Sequence, residues 1–172
     1  SSCVYPRLSP QPMKEEYLLT GLLEPTNEAF ALAKIAGIKM CEMYNRQYGV
    51  NFIAVMPPNL YGENDHFDLN NSPVLQSLLR KFYEAKIQKQ DEVVLWGTGQ
   101  ARREFLHTDD MAEACVFAMN NFNPTTGQNE KGGMFINVGS EIDFSILELV
   151  NLIKGIVGYS GSIVWDKSKP DG

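Results

Sequence analysis

No apolar run in the 172 residues approaches the ~18 needed for a membrane-spanning helix, so no helical membrane segment is expected within this stretch. Basic residues are the minority: 15 Lys and Arg stand against 21 Asp and Glu, for a net charge of −6. Nucleic-acid binders carry a basic patch or stripe, so nucleic acid is not an expected partner. Cysteine is scarce. Cys3, Cys41 and Cys115 are odd in number and far apart, which gives neither a disulfide framework nor metal-ligand spacing. A reducing, cytoplasmic setting is expected. The opening Ser-Ser-Cys-Val-Tyr-Pro has neither the basic start nor the apolar stretch of a secretory signal. It reads as the end of a buried strand running into a loop, with residues lost in front of it. Missing too is any Gly-x-Gly-x-x-Gly or Gly-x-x-Gly-x-x-Gly after a first strand, the usual cradle for a dinucleotide pyrophosphate.

What is present is ordinary for a globular domain. Apolar residues make up 44 % and charged residues 21 %, enough for a sizeable core. Residues 4–25 are punctuated by prolines and read as loop, with a helical turn around Glu15 to Leu19. From Asn27 to Tyr48, Phe30, Lys34, Ile38 and Cys41 recur at helical spacing, with Thr26 or Asn27 as cap and Gly49 as stop. Asn51 to Met56 is a short apolar strand ended by two prolines. Residues 59–72 are loop by composition. Pro73 to about Gln88 is a helix with Ser72 as cap, Pro73 at the first helical position, and Leu75, Leu78, Leu79 and Phe82 on one face. Residues 92–107 read as two strands folded into a hairpin around Gly97-Thr98-Gly99. Thr108 caps a helix with apolar positions Met111, Ala112, Cys115, Val116 and Met119. An Asn/Gly-rich loop follows over roughly 120–133, then a strand from Met134 to Gly139. Ser145 and Glu148 form a capping box, with Phe144 and Leu149 as a staple, opening a helix to about Val157. Ser162 to Asp166 closes the order as a strand. The alternation predicts an α/β fold, a doubly wound sheet with inserted segments.

Several side chains could carry chemistry, each with an ordinary alternative. Lys34 lies on an otherwise apolar face and is either a snorkelling lysine or one used by a ligand. Cys3 is a small core residue or an acid/base group. His66 sits in a polar loop and His107 directly before a helix, and both read most simply as structural or solvated. Arg102 and Arg103 are a diphosphate clamp or the solvated end of a hairpin. Trp96 is core or a stacking platform for a base.

Together, six segments carry a specific likeness: SSCVYP, EPTNEAFALAKIAGIKMCEMYNRQYG, MPPNLYGENDHFD, LWGTGQARREFLHTDDMAEA, INVGS and DKSKPDG. They resemble the GDP-L-fucose synthases, extended short-chain dehydrogenase/reductases that act on nucleotide sugars. The resemblance implies the C-terminal part of a Rossmann-type doubly wound parallel sheet with an interleaved, smaller substrate-binding domain. Residues 1–60 and 107–140 would belong to the NADP-binding domain, and 61–106 and 141–172 to the substrate domain. It also implies roughly a hundred preceding residues that hold the Gly-rich turn. The implied reaction epimerises GDP-4-keto-6-deoxy-D-mannose at two carbons, then reduces its ketone with NADPH to GDP-L-fucose. Ser1 falls on the family's hydrogen-bonding serine and Cys3 on its acid/base cysteine. Lys34 falls on the lysine of the Tyr-x-x-x-Lys pair, which binds the nicotinamide ribose. Pro57, Asn59 and Leu60 match the stretch against the nicotinamide; Lys81, Trp96, Arg103 and Asp171 match positions that hold the GDP-sugar. A homodimer through helices that include the one bearing Phe30 is implied as well.

Two positions depart from the family pattern. Phe30 replaces the tyrosine of the pair, and Pro73 replaces the acid/base histidine that follows an Asn-Ser. Pro58 stands where threonine is usual. Phenylalanine has no hydroxyl to protonate a developing alkoxide, and proline offers nothing in place of imidazole, so catalytic activity of this chain is in doubt. The alternatives are a non-catalytic nucleotide-sugar-binding or partner module, or an inactive fragment.

Overall fold

The computed structural model describes residues 1–69, 71–123, 135–169 and 171. Most of the Asn/Gly-rich stretch expected over 120–133, and Met134, lie outside the described residues. In chain order the helices are α1 (Glu28–Tyr48), α2 (Val74–Ile87), α3 (Thr108–Asn121) and α4 (Ile146–Val157). The strands are β1 (Ala54–Met56), β2 (Asn59–Tyr61), β3 (Glu92–Trp96), β4 (Arg102–His107), β5 (Phe135–Asn137), β6 (Asp143–Ser145) and β7 (Ser162–Asp166). Two compact units result: residues 1–60 with 106–139, and residues 61–105 with 140–172. The backbone therefore passes from one to the other after Leu60, after Phe105 and after Gly139.

In the first unit β1 and β5 pair in parallel, Ala54 opposite Phe135 and Met56 opposite Asn137. Val4, Tyr5, Ile35, Ile38, Met56 and Phe135 form its buried core. The opening residues are a 3-10 turn, Ser2–Val4, and not the strand end expected. α1 ends where expected, at Gly49, whose φ of 65° reverses the chain in the left-handed region that glycine tolerates. Its buried stripe, however, is Ala31, Ile35, Ile38, Glu42 and Asn45. The expected face through Phe30, Lys34 and Cys41 is displaced: Phe30 and Lys34 are exposed and Cys41 is half-buried. Charged Glu42 faces inward because Lys39 and Arg46 hold it from both sides, at 2.8 and 2.7 Å. Spacing weighted by hydrophobicity discounts such a pairing and so shifts the stripe. α3 is corrected in the same way. His107, not Thr108, is its N-cap, accepting from the Asp109 N–H at 3.2 Å. Only Met111 and Ala118 are buried on it, while Val116 and Met119 are exposed.

Tyr5 is 4 % exposed and donates to Asn137 Oδ1 at 2.5 Å. Asn137 in turn donates to the Met13 carbonyl and, through its backbone N–H, to Glu15. Burial pushes the Tyr5 phenol up to about 12, outweighing the lowering by the Asn137 bond. The folded value exceeds the unfolded value near 10, so this contribution is complete below pH 10 and is lost as pH rises toward 12. Urea unfolding across that window is expected to show wild type losing stability relative to Tyr5→Phe; parallel curves would contradict it.

In the second unit β3 and β7 pair in parallel over five residues, Glu92 opposite Ser162 through Trp96 opposite Asp166. β4 pairs antiparallel with β6. The hairpin expected for residues 92–107 is thus absent: β3 and β4 join different sheets, because a parallel partner 70 residues downstream takes β3. Residues 59–61, expected as loop, form β2. Pro73, not Ser72, is the N-cap of α2, so the helix starts one residue later than expected. The core joins Leu75, Leu78 and Phe82 of α2 to Val93 and Leu95 of β3 and Leu149, Val150 and Ile153 of α4. The capping box forms as expected, Ser145 Oγ accepting from the Glu148 N–H at 3.1 Å while Glu148 accepts from the Ser145 N–H at 2.7 Å. Among the described residues no helix is long and apolar enough to cross a membrane.

Candidate functional site

β3 alternates strictly, Val93 and Leu95 inward and Glu92, Val94 and Trp96 outward. Trp96 ends it at 64 % exposure, which decides against a core role. The turn that follows is built for close approach. Gly97 and Gly99 have φ of 77° and 75°. A Cβ on Gly97 would lie 2.2 Å from Asp171 Oδ1, and one on Gly99 would lie 2.6 Å from the Trp165 ring. Only glycine fits either position. The first turn of α4 holds the far side of this loop: Leu147 N–H donates to the Gly99 carbonyl and Ile146 N–H to the Ala101 carbonyl, both at 2.9 Å.

Between this turn and α2 lies a cavity of about 340 Å³. Its floor is apolar, from Leu78, Leu95, Ile146 and Trp165; Lys81, Trp96, Arg103 and Asp171 stand on its walls. The structure therefore brings together the four residues singled out as GDP-sugar contacts. A largely apolar hollow with a few convergent charged groups is the usual form of a small-molecule site, and this volume lies at the lower end of the usual range. Lys169 Nζ lies 5.8 Å from the Trp96 ring centroid, so the exposed indole face already attracts a cation.

The two arginines separate. Arg102 is held by β6, its guanidinium donating to both oxygens of Asp143 at 3.0 and 2.9 Å and to Glu148 at 3.4 Å. Arg102 holds the Asp143 carboxyl below its ordinary range, first through its hydrogen bond and then through its charge, against the opposing effect of burial. Arg103, next along β4, lines the cavity, with one N–H on the Arg102 carbonyl at 2.7 Å. Asp171 is occupied differently from the expectation. Its Oδ1 accepts from the Thr98 N–H and its Oδ2 from the Thr98 hydroxyl, each at 2.6 Å. The side-chain bond from Thr98, then its backbone bond, lower the carboxyl's pKa.

The other candidates lie in the first unit, except His66 and Pro73, which belong to the second; Pro73 is exposed at the start of α2. Ser1 is exposed and Cys3 half-buried in the opening 3-10 turn. Lys34 Nζ sits 5.2 Å from the Phe30 ring centroid on the exposed side of α1. Pro57, Asn59 and Leu60 are half-buried just beyond the C-terminal end of β1, the end at which parallel sheets receive ligands. His66 is exposed, and its backbone N–H donates to Asp65. Sequence reasoning does not find Trp165 as part of the cavity, or Thr98 as the partner of Asp171. The Gly-Thr-Gly stretch signals a turn there, but nothing in it points to a carboxylate partner for Thr98. Trp165 reaches the cavity only through the distant β3–β7 pairing.

The family model described as NAD dependent epimerase/dehydratase matches residues 1–139. The chain is 53 % identical to the GDP-L-fucose synthase of Escherichia coli K12 over 173 residues, covering all of this chain and 54 % of that one. It is 51 % identical to GDP-L-fucose synthase 1 of Arabidopsis thaliana, covering 51 % of it. The chain spans about half the length of the curated relatives it matches. Among solved structures, a GDP-L-fucose synthetase from Naegleria fowleri bound to NADP superposes with a TM-score of 0.86 at 30 % identity, over 99 % of this chain and 53 % of that one. A GDP-6-OMe-4-keto-L-xylo-heptose reductase from C. jejuni gives 0.90 at 39 %, over 98 % and 57 %. With a parallel-stranded α/β fold and a model match over most of its length, this chain belongs to the NAD dependent epimerase/dehydratase family.

Proposed function

We propose that the second unit binds a GDP-sugar in the cavity beside Trp96, and that the protein's chemistry is of the GDP-L-fucose synthase type. The observation that carries this reading is the meeting of Lys81, Trp96 and Arg103 on one apolar hollow. An indole face suits a purine base, and two cations suit a diphosphate, Arg103 with bidentate geometry and Lys81 as a point charge. Likeness to GDP-L-fucose synthases and to a GDP-sugar reductase supports the same ligand class. Calorimetric titration of the 172-residue chain with GDP-L-fucose should give heat and a raised melting temperature. Arg103→Ala should weaken binding about 10- to 100-fold, as expected for lost hydrogen bonds to a charged group. Arg102→Ala, whose partners all lie on β6 and α4, should bind as wild type. No heat and no melting shift with the unsubstituted chain would overturn the reading.

For the cofactor, NADP is the choice that relatives support. Lys34 offers an ammonium on the exposed side of α1, and Pro57, Asn59 and Leu60 follow the C-terminal end of a parallel strand. This set fits the nicotinamide-ribose end of the dinucleotide. None of the 172 residues supplies a Gly-rich pyrophosphate cradle. NADPH would supply the hydride for the ketone carbon; the chain's own residues must supply the protons. Cys3 is the group we assign to take and return an epimerisation proton. Exposed Leu32, Met40 and Tyr44 on one stripe of α1 suit a second copy of the chain, for which sedimentation should report a dimer.

A second reading is favoured by Phe30 and Pro73 themselves. A cavity that keeps its nucleotide-sugar groups while both proton-handling positions are inert fits a sensor or partner subunit that binds without turnover.

A further inference from the structure

We infer that Asp171 is a positioning residue acting through Thr98: its carboxylate clamps the Gly97–Gly99 turn and so fixes Trp96 and Arg103 on either side of the cavity. The inference rests on the GDP-sugar reading above for its ligand, but its geometry stands without it.

The clamp is bidentate: Asp171 lines the hollow, and its carboxylate oxygens are taken up by the turn. Both carboxylate oxygens already accept from Thr98, one from the backbone N–H and one from the hydroxyl, each at 2.6 Å. Gly97 lacks the Cβ that would strike this carboxylate at 2.2 Å, so the close approach is built into the sequence of the turn. The far side of the turn is fixed separately, by the two N–H groups of α4 on Gly99 and Ala101. Without Asp171 the turn keeps that anchor and the Gly97 N–H bond to the Asp166 carbonyl, but loses its hold at Thr98. The Asp171 segment is itself braced at its base. Asp166 accepts from the Ser168 N–H at 3.0 Å and the Ser168 hydroxyl at 2.6 Å, and its carbonyl accepts from the Gly97 N–H at 3.0 Å. Asp166 and Asp171 thus both hold the turn that joins β3 to β4. Trp96 precedes this turn and Arg103 follows it, so their separation across the cavity depends on its shape.

The experiment is a double-mutant cycle on the 172-residue chain with GDP as probe. Asp171→Asn, Thr98→Val and the double variant are titrated well below their melting temperatures. Each single substitution is expected to weaken GDP by about tenfold, as for a lost charge-assisted hydrogen bond, with the double variant no worse than either. Thr98→Ser, which keeps the hydroxyl, should restore wild-type affinity. Losses that multiply to about a hundredfold would show Asp171 touching the ligand directly and overturn the inference; so would unchanged affinity in Asp171→Asn. A second measurement needs no ligand. Amide exchange at Thr98 should quicken in Asp171→Asn while that at Leu147 is unchanged; equal protection at Thr98 would overturn the clamp. Should the unsubstituted chain fail to bind GDP, the functional reading falls, and this exchange measurement still decides for or against the clamp.

Discussion

Phe30→Tyr combined with Pro73→His, in the protein as it occurs in the cell, is expected to raise NADPH oxidation with GDP-4-keto-6-deoxy-D-mannose by at least about a hundredfold, and up to ~10⁴-fold. The physical basis is the supply of two proton-handling groups at positions where the chain now has neither. Phe30 is 49 % exposed, so a hydroxyl added to its ring needs no burial and displaces nothing. Lys34 Nζ lies 5.2 Å from that ring's centroid, and a nearby cation favours the phenolate. Pro73 is exposed and takes an extended backbone at φ −57°, ψ 162°, which histidine adopts without strain. A signature independent of turnover accompanies the first substitution. The introduced phenol should titrate below the ordinary value near 10 when followed by ultraviolet absorbance, and should return to it when Lys34→Ala is added. An ordinary titration, together with no gain in NADPH oxidation, would show that these two positions are not the proton-handling ones.

Phe82→Ala is expected to lower the unfolding free energy of the second unit by about 3–5 kcal/mol, read from urea denaturation. Phe82 has no exposed surface. It sits edge-on to Tyr159, ring centroids 5.6 Å apart at 68°, and Tyr159 is fixed by its hydroxyl on the Gln90 carbonyl at 3.0 Å. The void left by the ring opens in the cluster that includes Leu78 and Leu95, two residues of the cavity floor. GDP affinity should therefore fall along with stability, and Phe82→Leu, which refills most of the volume, should recover part of both. A loss below about 1 kcal/mol would mean that α2 is not held to β3 by this ring.

The regular elements were legible where the signal is local. The Ser145–Glu148 box, the Gly49 stop and the β7 strand need only neighbouring residues, and each is found where spacing predicts it. Sequence failed where the deciding partner is distant or polar. Glu42 is buried by two cations on its own helix, which turns the α1 stripe by about one position and leaves Phe30 and Lys34 outward. β3 takes its partner from the far end of the chain, so a local hairpin reading had no means of success. The cavity shows the same division. Lys81, Trp96, Arg103 and Asp171 are scattered over 91 positions, and Lys81 and Asp171 stand out only through the family resemblance; the structure brings all four to one hollow. The side chain of Thr98, on which the Asp171 carboxylate rests, carried no signal in the letters.

The three crossings of the backbone bear on how the molecule is made. During synthesis β1 must wait about eighty residues for β5 to emerge, and β3 about seventy for β7, so both sheets close late. Neither half can leave the ribosome finished ahead of the other. A cut at Leu60, Phe105 or Gly139 would therefore give pieces with unpaired strand edges instead of two independent domains. Grafting the second unit onto another protein would require transplanting two separate stretches joined by a new connection.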